Sequence, residues 1–595
     1  MSNVYTHPQP ELAHFASRRS VVHSTKAIVS STQPLATAAG LRILHKGGNA
    51  ADAAIAVAAA ISVTEPSSTG IGGDAFCLFY DAKTKKVHAL NGSGRSGQNV
   101  TLQQIRKDLS IPDGKDGRIP LTSVHSVTVP GAAAHWVDVV ERFGSGKVSL
   151  EEVLTPAIEI AEQGFPVSEL AARFWADSEP AIKKASPNGA EILKKDPSAA
   201  DGCRAPRGGE VMRLPGMAHT FRLLAQHGKK GFYEGEVAEQ IVKVVSDLGG
   251  HLTLDDLKHH AETGSEPVDP ISLTYTGQGV GERTDDQGIQ LWEHPPNGQG
   301  IVALIALGII QELEKQGKIK RWDVGHHNST EHLHAVIEAL RIAFSDAHWF
   351  VTDPNVVKVP SAELISQGYL AERAKLFDPK KAISAPVHGS LAHAHCDTVY
   401  FCASDQEGNA ISYINSVFSG FGSNIVPKGC GFALQSRGAG FSLSEGHPNV
   451  LEPRKRPYHT IIPGLITHAK DQSLHSVYGV MGGFMQPQGH VQVLLNQEVF
   501  KLHPQAALDA PRFCIGAGMP SADGSMPDAT VYLEEGIDEK VVEELRNLGH
   551  SIEQLKGYGR ATFGRGQIIR QHFVEGFRVW SAGSDMRGDG AAVPL

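Results

Sequence analysis

The chain changes character abruptly at Thr398. From 379 to 397 it carries Pro, Ser, Gly and Ala with no hydrophobic period, and reads as a mobile linker. Thr398 then opens an apolar, β-branched and aromatic run, Thr398-Val399-Tyr400-Phe401-Cys402, predicted as a strand ending near Ser404. Asp405 to Asn409 supplies a turn, and Ala410 to Val417 reads as the returning strand. On its own, a threonine at the mouth of such a strand is no more than a good strand former. Further on, Ser476 to Met481 reads as a strand running into Gly482-Gly483, with a helix expected from about Gln488 to Leu495. A strand, two glycines and a helix present backbone N–H groups where negative charge can be stabilised.

The N-terminal half alternates elements of both kinds. Ala27 to Ser30 is predicted as a buried strand, and Pro34 to Lys46 and Ala50 to Thr64 as helices. The second is alanine-rich nearly all round, which implies tight packing and not a ligand site. Strands are expected at Ala75 to Tyr80 and Val87 to Asn91, and helices at Gly131 to Phe143 and Ser149 to Gln163. A helix is expected after Thr253, and others at Ile301 to Leu313 and His332 to Phe350. Residues 185 to 210 read as an exposed excursion and 277 to 288 as a polar loop. Gly70 to Gly73 lacks the Lys-Ser/Thr ending of a phosphate cradle and leads into a strand, so it reads as a structural turn. Pattern alone yields α/β or α+β.

Several ordered segments carry more information together than any one alone. They are Gly47-Gly48-Asn49-Ala50-Ala51-Asp52, Glu65-Pro66-Ser67-Ser68-Thr69-Gly70-Ile71-Gly72-Gly73-Asp74 and Val129-Pro130-Gly131. Then come Asp397-Thr398, Gly422-Ser423-Asn424, Arg456-Pro457-Tyr458-His459-Thr460, Gly482-Gly483 and Gly583-Ser584-Asp585. In this order the set resembles the γ-glutamyltransferase (γ-glutamyltranspeptidase) family of N-terminal-nucleophile (Ntn) hydrolases, over nearly the whole chain.

The resemblance implies an α+β fold, the four-layer αββα sandwich, built by two intertwined fragments: 27–397, preceded by a flexible extension 1–26, and 398–595. It implies cleavage between Asp397 and Thr398 by the Thr398 hydroxyl. The freed α-amine, titrating near about pH 8, would serve as base for that hydroxyl. By the same resemblance Ser416 orients the nucleophile, and Gly482 and Gly483 form the oxyanion hole. Arg95, Phe418, Arg437, His459 and Thr460 fall at or beside substrate positions. The implied reaction is cleavage of an amide, a γ-glutamyl compound such as glutathione or a related anionic acyl amide, with the acyl group passed to water or an amine. No cofactor and no metal are implied.

The sequence also departs from the family's glutamyl-specific pattern. Phe418 stands where those members have an amide, and His459 where they have a hydroxyl. Arg437-Gly438-Ala439-Gly440 has no carboxylate to pair a donor ammonium, and Val399-Tyr400 replaces the usual Thr-His. Arg95 lies two residues past the matching position, Ser93. An unpaired buried ammonium is costly, whereas Arg437 favours an anionic acyl group. These features point to the acylase-like branch.

Bulk properties set outer limits. A formal charge of −9 gives no reason to expect a nucleic-acid partner, and Arg454-Lys455-Arg456 reads as a solvated turn or part of a pocket rim. No apolar run is long enough for a membrane span. Met1 to Lys26 has no secretory core, and six cysteines show no paired spacing, so a reducing cytoplasmic location is expected. Two other readings stay open: a catalytically silent scaffold, and a metal-dependent hydrolase using His388, His393, His395 and Cys396. The second needs convergent geometry that a linker does not provide.

Overall fold

The computed structural model describes residues 19–112, 114–115, 117–280, 287–383, 398–516 and 530–595. Two seven-stranded antiparallel sheets dominate it. The first runs in the order Ala591–Pro594, Ile28–Ser31, Val399–Ser404, Ala410–Ser416, Asp74–Asp81, Lys86–Gly92, Glu266–Val268. The second runs Val22–Ser24, Phe577–Ser584, Arg565–Val574, Leu474–Met481, Gly464–His468, Ile289–Glu293, Ile271–Tyr275. Strands from before and after residue 397 interleave in both. Ile28–Ser31 pairs with Ala591–Pro594 on one side and Val399–Ser404 on the other.

Side chains on successive strand residues point to opposite faces, and here both faces are covered. Val399, Phe401 and Ala403 join a core shared with the helices Pro34–His45, Ala50–Thr64 and Ala132–Phe143. Tyr400 and Cys402, between them, face the second sheet and meet Leu465, Val477, Met481 and Ile569. The second sheet turns Ile466, Tyr478 and Val480 toward the helices Ile301–Lys315, Thr330–Phe350 and Met485–Glu498. Burial on both faces explains why these strands read as continuous apolar runs, without the polar alternation of a half-wet sheet. The chain is α+β.

Local chemistry sets many boundaries. Asn49 caps Ala50–Thr64 in a reciprocal box with Asp52, and Ser149 and Thr253 do the same with Glu152 and Asp256. All fifteen residues of Ala50–Thr64 are buried.

Some expectations need correction. The helix after Gly482-Gly483 begins at Met485, not near Gln488. Residues 185–210 are not simply an exposed excursion. Lys194–Lys195 pairs with Cys203–Arg204, Ile192 and Leu193 are buried, and Arg204 bridges Asp196 and Glu210. Arg454-Lys455-Arg456 is not a solvated turn: the Lys455 and Arg456 side chains are buried, on Glu452 and Glu266. Residues 1–18 lie outside the described residues, but from Arg19 the expected flexible extension is already part of the fold. Arg19 donates to the carbonyls of Asp585 and Gly588, and Val22–Ser24 is an edge strand.

Candidate active site

The hairpin Val399–Ser404 and Ala410–Ser416 begins the site. Its register pairs Val399 with Asn415, which sets Ser416 opposite Thr398. Asp405 holds the turn by accepting from the N–H groups of Gly408 and Asn409, and also ties it to Ala50. Thr398 Oγ1 and Ser416 Oγ come within 3.0 Å, both residues fully buried. Ser416 Oγ also accepts from the Phe418 N–H at 2.9 Å and from Arg437 at 3.4 Å.

Arg437, in the short turn Arg437–Gly440, is fully buried. It donates to Thr460 Oγ1 at 2.7 Å, and its guanidinium carbon lies 4.1 Å from the centre of the Phe418 ring. Phe418 holds this place with φ of 83°, a region non-glycine residues rarely enter. Arg437 is thus a buried cation over a ring, bonded to two hydroxyls beside Thr398.

His459 behaves differently from Thr460. Its Nε2 lies 3.0 Å from Asp74 Oδ2, and its ring packs on Phe76. Burial, helped by Arg437, lowers the imidazole to about 3. Burial works against the Asp74 carboxylate, but His459, Arg437 and the Gly94 N–H hold it below its ordinary range. The pair is therefore neutral imidazole and carboxylate. Nε2–H donates to Asp74, and bare Nδ1 accepts from the Ile461 N–H at 3.3 Å. Asp74 Oδ1 accepts from the Gly94 N–H, the Gly131 N–H and Gln435.

Gly482 and Gly483 have φ of 126° and 59°, and helix Met485–Glu498 follows directly. Gln299 joins this end to the Arg437 side, donating to the Thr460 carbonyl at 2.7 Å and the Gly483 carbonyl at 2.9 Å. The two sheets also meet here: a β-carbon built on Gly479 would lie 2.6 Å from the Tyr400 ring. Tyr400 is two residues past Thr398, and Gly479 three before Gly482.

Thr398, Ser416, Phe418, Arg437 and Thr460 thus form one contact chain, tied to Gly483 through Gln299. Arg95 is directed elsewhere. Burial, with Arg456 nearby, lowers it to about 10, and it sits 3.7 Å from Glu266. Ser93, the matching position, accepts from Asn297. Asp74, Gln299 and Gln435 carry structural roles that no spacing in the sequence revealed, although Asp74 closes the glycine-rich segment at the mouth of its strand. Asp397, His388, His393, His395 and Cys396 lie outside the described residues. The other five cysteines are buried free thiols. Among the described residues no helix is long and apolar enough to cross a membrane.

Fold and site together define an α+β protein with a buried hydroxyl pair beneath an arginine, between two stacked sheets. Residues 36–595 match the model of the gamma-glutamyltranspeptidase family, and the chain belongs to that family. It is 35% identical over 583 residues to a glutathione hydrolase-like YwrD proenzyme of Bacillus subtilis, covering 96% of this chain and 99% of that protein. It is 30% identical over 580 residues to an oxamate amidohydrolase proenzyme of Klebsiella pneumoniae, covering 96% and 98%. The crystal structure of a cephalosporin acylase from Bacillus halodurans superposes with a TM-score of 0.84 at 38% identity, covering 100% and 99%.

Proposed function

We propose that the chain is an autoprocessed, threonine-nucleophile amidohydrolase whose donor is a small amide with an anionic acyl group. In this reading the sheets and their outer helices are the αββα sandwich of the Ntn hydrolases, and Asp397–Thr398 is the bond the protein cuts in itself. Thr398 Oγ1 attacks the Asp397 carbonyl, the acyl group moves from nitrogen to oxygen, and water hydrolyses the ester. Fragments 27–397 and 398–595 stay together because their strands interleave in both sheets.

The freed α-amine then takes the proton from Thr398 Oγ1 as that oxygen attacks the donor carbonyl. Ser416 holds the attacking oxygen in place. Gly482 and Gly483, at a helix N-terminus, receive the charge developing on the carbonyl oxygen. The leaving amine departs protonated, and water or an amine releases the acyl group.

The observation that carries this reading is the 3.0 Å pair of Thr398 and Ser416 with Arg437 bonded to Ser416 and Thr460 beside it. Arg437 favours a carboxylate on the acyl side, and the names of the relatives, oxamate amidohydrolase and glutathione hydrolase-like proenzyme, fit such donors. The test is a denaturing gel followed by an amide panel containing oxamate, glutaryl and γ-glutamyl amides. Wild-type protein is expected to give bands for 1–397 and 398–595 and to release amine from anionic donors. Thr398→Ala is expected to give one full-length band and no release; two bands from that variant would refute the reading.

A further inference from the structure

Two side-chain clusters, one buried and one with an exposed carboxylate and two half-buried histidines, bring histidines and a carboxylate together outside the Thr398 site. One is His334, Glu338 and His550. There Arg341 already occupies the middle, donating to Glu338 at 2.9 Å and lying 3.3 Å from His550 Nδ1, so a cation is built in. The other is Asp108, His125 and His251, and no arginine or lysine hydrogen bond is made to these three side chains among the described residues.

We propose that Asp108, His125 and His251 bind one divalent transition-metal ion of the zinc class, behind the turn that carries Arg437. The ligands come from three separate segments. Asp108 ends the helix Leu102–Asp108, His125 sits in the turn Val124–Ser126, and His251 precedes the Thr253 cap of the helix Leu254–Thr263. Their candidate ligand atoms all lie within 4.8 Å of one another. Asp108 Oδ2 is 2.6 Å from His251 Nε2 and 3.9 Å from His125 Nε2.

A tetrahedral zinc site, with bonds of about 2.0–2.2 Å, separates its ligand atoms by about 3.4 Å. The two spacings to Asp108 Oδ2 fall on either side of that value, and small side-chain rotations bring each to it. A water takes the fourth position.

Two details favour a metal over a plain ion pair. Gln104 donates to the other carboxylate oxygen, Asp108 Oδ1, at 2.7 Å, which orients the carboxylate and presents Oδ2, as a supporting group does at a metal centre. A His251–Asp108 pair would also be complete without His125. Yet the His125 side chain is only 10% exposed, its Nε2 faces the same carboxylate oxygen, and its ring stacks on His251 at 5.6 Å. Two stacked rings with a shared carboxylate suit one cation held by neutral imidazoles.

The site is not part of the reacting centre. The carbonyls of His125 and Ser126 pack against Gly438, next to Arg437, so an ion here braces the outer side of the substrate wall. The inference does not depend on the identity of the nucleophile.

The experiment is calorimetric titration of zinc chloride into chelator-washed full-length protein. The His388→Ala/His393→Ala/His395→Ala background removes competing linker histidines. One equivalent should bind and raise the melting temperature, because only the native state assembles the site. Substituting His125→Ala or His251→Ala should weaken that binding about tenfold or more, and Asp108→Asn likewise. His251→Ala, at a half-exposed position, keeps the test usable if His125→Ala does not fold. No binding in the parent protein, or an unchanged isotherm in His251→Ala and Asp108→Asn, overturns the proposal.

Discussion

In the proposed reaction Arg437 is the side chain that selects the donor. It is a buried cation whose hydrogen bonds run to the hydroxyls of Thr460 and Ser416, with Phe418 beneath it. A carboxylate arriving there gains a charge-assisted partner in a desolvated setting, while a neutral acyl group gains none. Arg437→Met is therefore expected to lower kcat/KM for anionic amides by about 100-fold, or about 2.7 kcal/mol at about 1.36 kcal/mol per decade. Neutral acyl amides should lose much less, and equal losses for both in steady-state assays would count against the assignment. His459, although adjacent to Thr460, is spent on Asp74, and as neutral imidazole it fixes backbone more than it meets a donor. The closeness of Thr398 and Ser416 was legible because a hairpin was readable on either side of the 405–409 turn. The Asp74–His459 pair was not, since no local pattern links residues 385 positions apart.

At the level of elements, the contact between Val399–Ser404 and Leu474–Met481 decides how Thr398 lies relative to Gly482. Gly479 lets the strands approach until a β-carbon there would lie 2.6 Å from the Tyr400 ring. Gly479→Ala pushes on a ring packed in the core between the sheets, and overpacking of this kind costs about 1–3 kcal/mol. The expected result is a lower urea midpoint and slower appearance of the 398–595 band. Unchanged processing in a clearly destabilised variant would show that the strands reach Gly482 independently of Tyr400. Element positions followed closely from caps and apolar runs, as at Asn49 and Ser149. The start of the helix after Gly482-Gly483 did not, because Gln486 and Pro487 mask a helix that tertiary burial and the Met485 N–H to Gly482 carbonyl bond begin early.

Over the whole molecule, a buried charge cluster near the C-terminus braces the glycine end of the site. Arg512 pairs with Asp585, and Arg587 with Asp585 and Glu534. Arg512 also donates to the Phe563 carbonyl, beside Gly564, which packs against Gly482. Burial alone would raise the Asp585 carboxyl, but Arg512 and Arg587 hold it at about 2, below the ordinary 3.8. A depressed carboxyl contributes stability above its unfolded value and loses it as pH falls through the folded one. Wild-type protein should therefore lose stability steeply between about pH 4 and pH 2, over the interval set by that shift. Asp585→Asn should flatten the dependence and cost about 3–5 kcal/mol at neutral pH by stranding buried cations. Urea midpoints measured across that interval check both, and parallel curves for the two proteins would remove Asp585 from the account. By itself the sequence determined the hairpin at Thr398, the capped helices and the order of the family's segments, because turns, caps and side-chain alternation depend on neighbours a few residues away. Only the tertiary structure decided that both faces of each sheet are covered, that Arg437 lies on Phe418 beside Ser416, and that Asp108 meets His125 and His251. Those outcomes depend on burial and charge summed over distant segments, and no local preference encodes such a sum.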